Sequence, residues 1–208
     1  MVPFARRPRE EAALGPRFAL SDPSAGEQES GTRVPRTAWL AGFGLVALAA
    51  LLVLMGEPVE PPLSRGDAAP GFSLPRIPDG SVVALEDMGG RVVLVNFWAT
   101  WCKPCEDEMP AMENLYREVG SEGFELLAIS VDDSAETVEE FRQRMGITFP
   151  ILLDPDQVAA RRYQTTGFPE SILVDGQGMI VERYVGPREW DHPDYVRRVQ
   201  RLMETSGG

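Results

Sequence analysis

The sequence predicts an α/β domain that follows one long apolar segment. Two observations carry this prediction. After the apolar segment, short runs typical of buried strands alternate with segments whose apolar residues recur at helical spacing. The only two cysteines of the 208 residues, Cys102 and Cys105, lie between one such strand and the helix that follows it.

The apolar segment comes first along the chain. No charged residue occurs from Thr37 to Gly56, and a helix needs roughly 20 residues to cross a bilayer. Arg33 and Arg36 precede the segment and acidic residues follow it, which by the positive-inside tendency places the N-terminus in the cytoplasm. We therefore predict a disordered cytoplasmic tail over 1–37, a transmembrane anchor over 38–56, a linker over 57–65 and a folded domain over 66–208.

A cleaved signal peptide is the alternative interpretation of this segment. The apolar run is longer than the roughly 7–15 residues of a signal peptide, and no small-x-small cleavage site directly follows Met55. Both features favour the anchor.

The folded domain opens with strands. Phe72–Leu74 and Ser81–Leu85 are predicted as short strands around the turn Pro78-Asp79-Gly80. The apolar run within Arg91–Phe97 predicts a buried central strand. Apolar residues at helical spacing then predict a helix over Cys102–Val119.

Helices and strands alternate after the cysteines. Phe124–Val131 is predicted as a strand, and Ala135–Met145 as a helix with Asp133 as its N-cap. The remaining predicted elements are a strand over Phe149–Leu153, a short helix over Gln157–Tyr163, a hairpin of Ser171–Val174 and Met179–Val185, and a closing helix over Asp194–Met203. The domain thus begins as βαβ and ends as ββα.

The segment Cys102-Lys103-Pro104-Cys105 is predicted to carry the chemistry. Cys102 lies at the start of the predicted helix, where unpaired N–H groups and the helix dipole lower a thiol pKa, so Cys102 is the predicted attacking thiol and Cys105 the more buried resolving thiol. A bridge across two residues closes too small a loop to restrict the unfolded chain much, so its value is chemical. A zinc site needs more ligands, and the only histidine, His192, lies far along the chain. We expect no metal, and no cofactor besides a redox-active disulfide.

Three segments carry a family resemblance. Val95–Cys105 (Val-Asn-Phe-Trp-Ala-Thr-Trp-Cys-Lys-Pro-Cys) resembles the active-site segment of thioredoxin-fold proteins and, more narrowly, of the membrane-anchored TlpA/ResA/CcmG group of bacterial thiol–disulfide oxidoreductases. Gly66–Leu74 resembles the opening segment of that group, and Thr166–Ser171 resembles its cis-proline loop. The resemblance implies a thioredoxin-like fold with an N-terminal β extension and a central αβ insert, preceded by one transmembrane helix.

The resemblance also assigns roles around the cysteines. Pro169 is expected to be cis and to pack against the cysteine pair. Gly167 and Phe168 are then expected to present their backbone for strand-like pairing with a substrate segment. Trp101 is expected to shield Cys102 and to help bind substrate.

Glu108 is the predicted acid of the site. It lies three residues after Cys105 on the same predicted helix, so the two share a face. The resembled group carries a functional acid at this position, whereas ordinary thioredoxins have a buried aspartate where this chain has Asn96, which cannot titrate. We expect Glu108 to handle the proton of Cys105 and to raise the thiol pKa by its charge. The alternative is that Glu106, Asp107 and Glu108 only favour the first turn of the helix.

These observations predict a membrane-tethered reductase of disulfides in exported proteins, held at a bacterial cytoplasmic membrane with its domain in the periplasm. One membrane span and one thiol pair imply a separate membrane thiol donor, of the CcdA or DsbD kind by resemblance. Glu170, which follows Pro169 as in the Pro-Glu-Thr of the CcmG type, favours apocytochrome c as a substrate. The formal net charge of −12 argues against nucleic acid as a partner.

Three other functions stay open at this point. An oxidant or isomerase of the same fold would have the same residues and a higher potential. A peroxidase is a second alternative because Gly66–Leu74 also resembles the opening of peroxiredoxins, although Ala99 and Val95 stand where their Pro-x-x-x-Thr-x-x-Cys signature needs Thr and Pro before Cys102. The third alternative is a tethered binding module without catalysis.

Overall fold

The computed structural model describes residues 36–55, 61–120 and 123–206. The chain divides into two units, of which the second begins at residue 59. In the first unit, helix α1 covers Arg36–Met55; most of the predicted tail and the start of the predicted linker lie outside the described residues. Within the described ranges, no helix combines the length and the apolar character needed to span a membrane. The predicted anchor therefore stays a prediction.

The second unit contains one seven-stranded sheet with helices packed on it. The strands stand in the order β2-β1-β5-β4-β3-β6-β7. Their bounds are β1 Ser73–Ile77, β2 Val82–Ala84, β3 Val92–Trp98, β4 Phe124–Ser130, β5 Ile151–Leu153, β6 Glu170–Val174 and β7 Ile180–Val185, and the helices are α2 Lys103–Val119, α3 Ala135–Met145, α4 Val158–Arg162 and α5 Pro193–Ser206. The predicted βαβ beginning (β3-α2-β4) and ββα ending (β6-β7-α5) are both confirmed.

Strand β3 is the centre of the core. It pairs in parallel with β4 and antiparallel with β6, and all seven of its residues are buried. A strand that is buried on both faces reads as a nearly continuous apolar run, as β3 does except at Asn96. Because β3 is held on both sides, the turn that follows it starts from a fixed point.

The structure moves several predicted boundaries. Strand β1 extends to Ile77 because it pairs with two strands in succession. Its first three residues pair with β2, and its last two residues pair with β5. Strand β5 begins only at Ile151, after Pro150, which has no N–H to give to a ladder. The prediction of Asp133 as the N-cap of α3 is wrong, because the Ser134 hydroxyl accepts the Thr137 N–H at 3.2 Å.

Candidate active site

The turn between β3 and α2 is held by a buried carboxylate. Asp132, just after β4, accepts hydrogen bonds from the Thr100 N–H at 2.8 Å and from the Thr100 hydroxyl at 2.6 Å. The Ser130 hydroxyl donates to the same carboxylate at 2.7 Å. Because charge-assisted bonds to a buried acceptor are strong, they fix the direction in which the chain enters Trp101 and Cys102.

Cys102 and Cys105 form a disulfide, with their Cα atoms 5.3 Å apart. Cys102 is the N-cap of α2, and its sulfur accepts the Cys105 N–H at 3.3 Å. Cys102 keeps 6% of its surface exposed, whereas Cys105 is fully buried. A sulfur from another molecule can therefore reach only Cys102, and the N–H donors at the helix start would stabilise its thiolate.

Glu108 lies buried on the inner side of α2 and accepts three hydrogen bonds. The Asn96 amide donates to Oε1 at 3.0 Å. The Arg188 backbone N–H and the Trp190 indole N–H donate to Oε2 at 3.0 and 3.1 Å. Three donors of this kind orient the carboxylate, and Glu108 stays one helical turn from Cys105.

The surroundings of Glu108 raise the pKa of its carboxyl towards neutral pH. Burial raises the pKa of this carboxyl to about 7, from an ordinary value of 4.5, although its hydrogen bonds and the nearby Arg188 guanidinium oppose the rise. Glu108 also lines a cavity of about 220 Å³ together with Asp107, Pro187, Arg188 and Glu189. The carboxyl can therefore exchange protons near neutral pH, the range in which an acid–base group works best at physiological pH.

The second part of the site is the loop before β6. The Phe168–Pro169 peptide bond is cis, as expected from the resemblance. Pro169 is buried, and its carbonyl accepts the Gly186 N–H at 2.9 Å. Gly167 is exposed and Phe168 is half-buried, and the Phe168 ring lies 6.0 Å from the ring of Trp101 in an edge-on arrangement.

Trp101 differs from the core tryptophans in its exposure. With 69% of its surface open, it contributes little to folding and offers an apolar face beside Cys102. Trp98 is fully buried against the Phe141 ring at 4.9 Å, so it packs the core. The rings of Trp101 and Phe168 therefore form one aromatic surface at the residue that precedes Cys102.

Comparisons with known proteins agree with this geometry. The sequence profile of the AhpC/TSA family matches residues 65–183. Thiol-disulfide oxidoreductase ResA of Bacillus subtilis is 36% identical over 146 residues, covering 70% of this chain and 80% of the relative; ResA of Bacillus anthracis is 37% identical over 135 residues, covering 64% and 78%. A crystal structure of a putative thiol:disulfide interchange protein DsbE from Chlorobium tepidum matches with a TM-score of 0.60 and 31% identity, over 70% of this chain and 99% of that one. The chain belongs to the AhpC/TSA family, as a ResA-like thiol–disulfide oxidoreductase.

Glu170 has a structural explanation in this oxidoreductase. It is fully buried, forms an ion pair with Arg183, and accepts the Thr166 N–H at 2.9 Å. These bonds tie the start of β6 to β7 and to the loop that carries Phe168. The residue therefore supports the loop. Its hydrogen bonds go to Thr166 and Arg183, and none goes to Glu108 or Asn96.

Sequence reasoning missed the residues that hold Glu108 from the far end of the chain. Trp190 packs edge-on against Tyr184 at 5.1 Å, and this contact helps aim its indole N–H at the carboxylate. A tryptophan between Glu189 and Asp191 in a polar loop was the one available signal for it. Within residues 36–55, 61–120 and 123–206, no group of three His, Cys, Asp or Glu side chains is arranged to hold a metal ion.

Proposed function

We propose that this oxidoreductase is a membrane-tethered reductase of disulfides in extracytoplasmic proteins. The observation that carries the proposal is the buried carboxyl of Glu108 on the helix of Cys105. A negative charge near a thiol disfavours its thiolate and raises its pKa. Strong oxidants of this fold are oxidising because their reduced form is stabilised, so a carboxylate that destabilises the thiolate favours the opposite direction.

Lys103 does not cancel this effect. Its ammonium lies between the cysteines in sequence, but it is 71% exposed and forms an ion pair with Asp107. Asp107 raises the pKa of Lys103 through this hydrogen bond. Because the pair is exposed and its two charges offset each other, it contributes little field at the sulfurs.

The proposed exchange proceeds in two steps. The Cys102 thiolate attacks one sulfur of a substrate disulfide, a mixed disulfide forms, and the first substrate sulfur leaves as a thiolate. Glu108 then accepts the proton of Cys105, whose thiolate attacks the Cys102 sulfur and releases the second substrate sulfur. The substrate gains two electrons and leaves as two thiolates, which take up the proton that Glu108 releases and the proton that Cys102 gave to the solvent when it ionised, and the chain is left with its Cys102–Cys105 disulfide. The cysteine pair is the only redox group that this exchange requires, so we propose no further cofactor.

The location and the partners are part of the proposal. The uncharged stretch Thr37–Gly56 and the arginines before it support one membrane anchor, with the N-terminus in the cytoplasm and the domain in the periplasm. A periplasmic reductase with one thiol pair needs a membrane thiol donor, for which we propose the CcdA or DsbD kind. Apocytochrome c is our proposed substrate, supported by the resemblance around Pro169 and Glu170.

The reduction potential of the full chain in detergent tests the direction of electron flow. We expect a value near that of thioredoxin, about −270 mV, and a less negative value for Glu108→Gln. Glu106→Gln is the matched control, because it removes a partly exposed carboxylate from the same helix turn, and we expect it to leave the potential nearly unchanged. A value near about −120 mV would make the chain an oxidant, and rapid peroxide consumption by the reduced chain would favour the peroxidase alternative.

A further inference from the structure

One end of the Asn96 side chain is unpaired at the centre of the site. Asn96 is fully buried on β3, directly opposite Ser171 on β6. Its Nδ2 donates to Glu108 Oε1 at 3.0 Å and to Ser171 Oγ at 2.9 Å. Its Oδ1 is buried without a hydrogen-bond partner among the described residues. A buried acceptor without a partner costs about 1–3 kcal/mol and calls for an explanation.

The two oxygens of Glu108 differ in what they can do with a proton. Oε2 already accepts from the Arg188 backbone N–H and the Trp190 indole N–H, and neither of these groups can accept a hydrogen bond. A proton on Oε2 would displace one of them. A proton on Oε1 displaces nothing, but its O–H then needs an acceptor.

The Asn96 amide can supply that acceptor by turning over. Rotation by half a turn about its last torsion exchanges Nδ2 and Oδ1, and places the carbonyl oxygen where it faces both Glu108 Oε1 and the Ser171 hydroxyl. Both of these groups can then donate, because the serine hydroxyl rotates freely and a protonated carboxyl carries an O–H. Oδ1 has no bond to lose in the rotation.

We propose that the Asn96 amide turns over each time Glu108 gains or loses a proton, which makes Asn96 the positioning residue for that proton. With Glu108 ionised, the amide donates two hydrogen bonds; with Glu108 neutral, it accepts two. The amide makes two hydrogen bonds in both states; in the turned state its two N–H groups, in place of Oδ1, occupy the position that has no partner among the described residues. Ser171 serves both states as the second partner.

The charged groups around Glu108 leave this arrangement intact. Arg188 is the cation that acts on its carboxyl, while Asp107 and Glu189 line the same cavity at the surface. Cys105 lies one turn before Glu108 on the same helix, and in the disulfide it does not titrate. In the oxidised protein, the proton of Glu108 can therefore be followed without interference from the thiols.

This inference rests on the proposed role of Glu108 as the proton acceptor for Cys105, and it deepens that role. A carboxyl that gains a proton in every catalytic cycle would otherwise bury its new O–H without an acceptor. A neighbouring amide that can both donate and accept supplies that acceptor. The reversal of the amide is independent of whether the chain reduces or oxidises its substrates.

Nuclear magnetic resonance on the oxidised full chain in detergent tests the proposal. Between pH 5 and 9, we expect the Asn96 side-chain NH₂ to lie near the Ser171 and Glu108 side-chain protons at high pH, and to lose both contacts at low pH. The midpoint of the change should coincide with the titration of the Glu108 carboxyl carbon. An unchanged amide across that titration would overturn the proposal, and would show that water in the cavity takes the proton's hydrogen bond instead.

Glu108→Gln provides a second measurement. The glutamine oxygen can keep the Arg188 and Trp190 donors, and its NH₂ then faces Asn96 as a donor, as a protonated glutamate does. We expect Asn96 in the turned orientation at every pH in this variant. Asn96 in the unturned orientation would contradict the proposal, whereas a failure of the proposed function would appear in the reduction potential and leave these spectra unchanged.

Discussion

Replacing Glu108 by Gln removes a buried negative charge that destabilises the folded state. In the folded chain burial raises the pKa of Glu108 to about 7, against an ordinary value of 4.5. One pKa unit corresponds to about 1.4 kcal/mol, so the fully ionised carboxylate lowers the free energy of unfolding by about 3 kcal/mol. Since the folded-state pKa is the higher of the two, this loss is absent below pH 4.5, grows between 4.5 and 7, and is complete above 7.

Glu108→Gln should therefore stabilise the protein at high pH only. We expect a gain of about 2–3 kcal/mol in the free energy of unfolding at pH 8.5, and less than about 0.5 kcal/mol at pH 4.5. Urea unfolding of the oxidised protein, followed by tryptophan fluorescence, measures both values while the cysteines cannot titrate. A gain of equal size at the two pH values, or a loss at pH 8.5, would refute the argument that burial of the charge dominates.

Three other substitutions test separate parts of the structure. Glu113→Gln should destabilise the chain by about 1–2 kcal/mol at pH 7, and by less as the pH falls below 4.5. Burial would raise the pKa of Glu113, but hydrogen bonds from Thr148 outweigh burial and lower this pKa. Urea unfolding at pH 7 and pH 3 measures the difference, and an effect independent of pH would contradict the prediction. Trp101→Ala should change the free energy of unfolding by less than about 0.5 kcal/mol, since the side chain is exposed. It should slow exchange with a disulfide peptide several-fold, with Trp101→Phe as the control. An unchanged exchange rate in the alanine variant would show that Trp101 does not bind substrate. Glu170→Gln should cost about 3 kcal/mol because it leaves Arg183 without its buried partner, and thermal unfolding that matches the wild type would show that the pair contributes little.

Local patterns predicted the elements better than their ends. Helix α3 over Ala135–Met145 was predicted to the residue from its apolar spacing, although its N-cap is Ser134 and not the predicted Asp133. The end of β1 was missed because it depends on pairing with β5, a strand that is distant in sequence. Periodicity reports the face that a segment buries, and carries no information on which strand will lie beside it.

In the candidate site too, contacts within one helix could be predicted from spacing, whereas contacts between distant segments could not. Cys102, Cys105 and Glu108 share one helix, so their relation follows from spacing alone. The two donors to Glu108 Oε2 come from the loop between β7 and α5, and one of them is the backbone N–H of Arg188, for which no side chain gives a sequence signal. The contact of Asn96 with Ser171 depends on the register of two strands; a polar residue inside an apolar strand could have indicated that Asn96 has a partner, but not which one.

Because only one of the two sulfurs is accessible, a variant of the oxidoreductase can be used to identify its substrates. Only Cys102 can be reached from outside, and Cys105 can act only on what is already attached to Cys102. Cys105→Ser should therefore halt the exchange halfway, with the substrate held by a covalent bond that survives purification. Mass spectrometry of such adducts, isolated from cells under non-reducing conditions, would identify the captured polypeptides and the cysteine in each that was attacked.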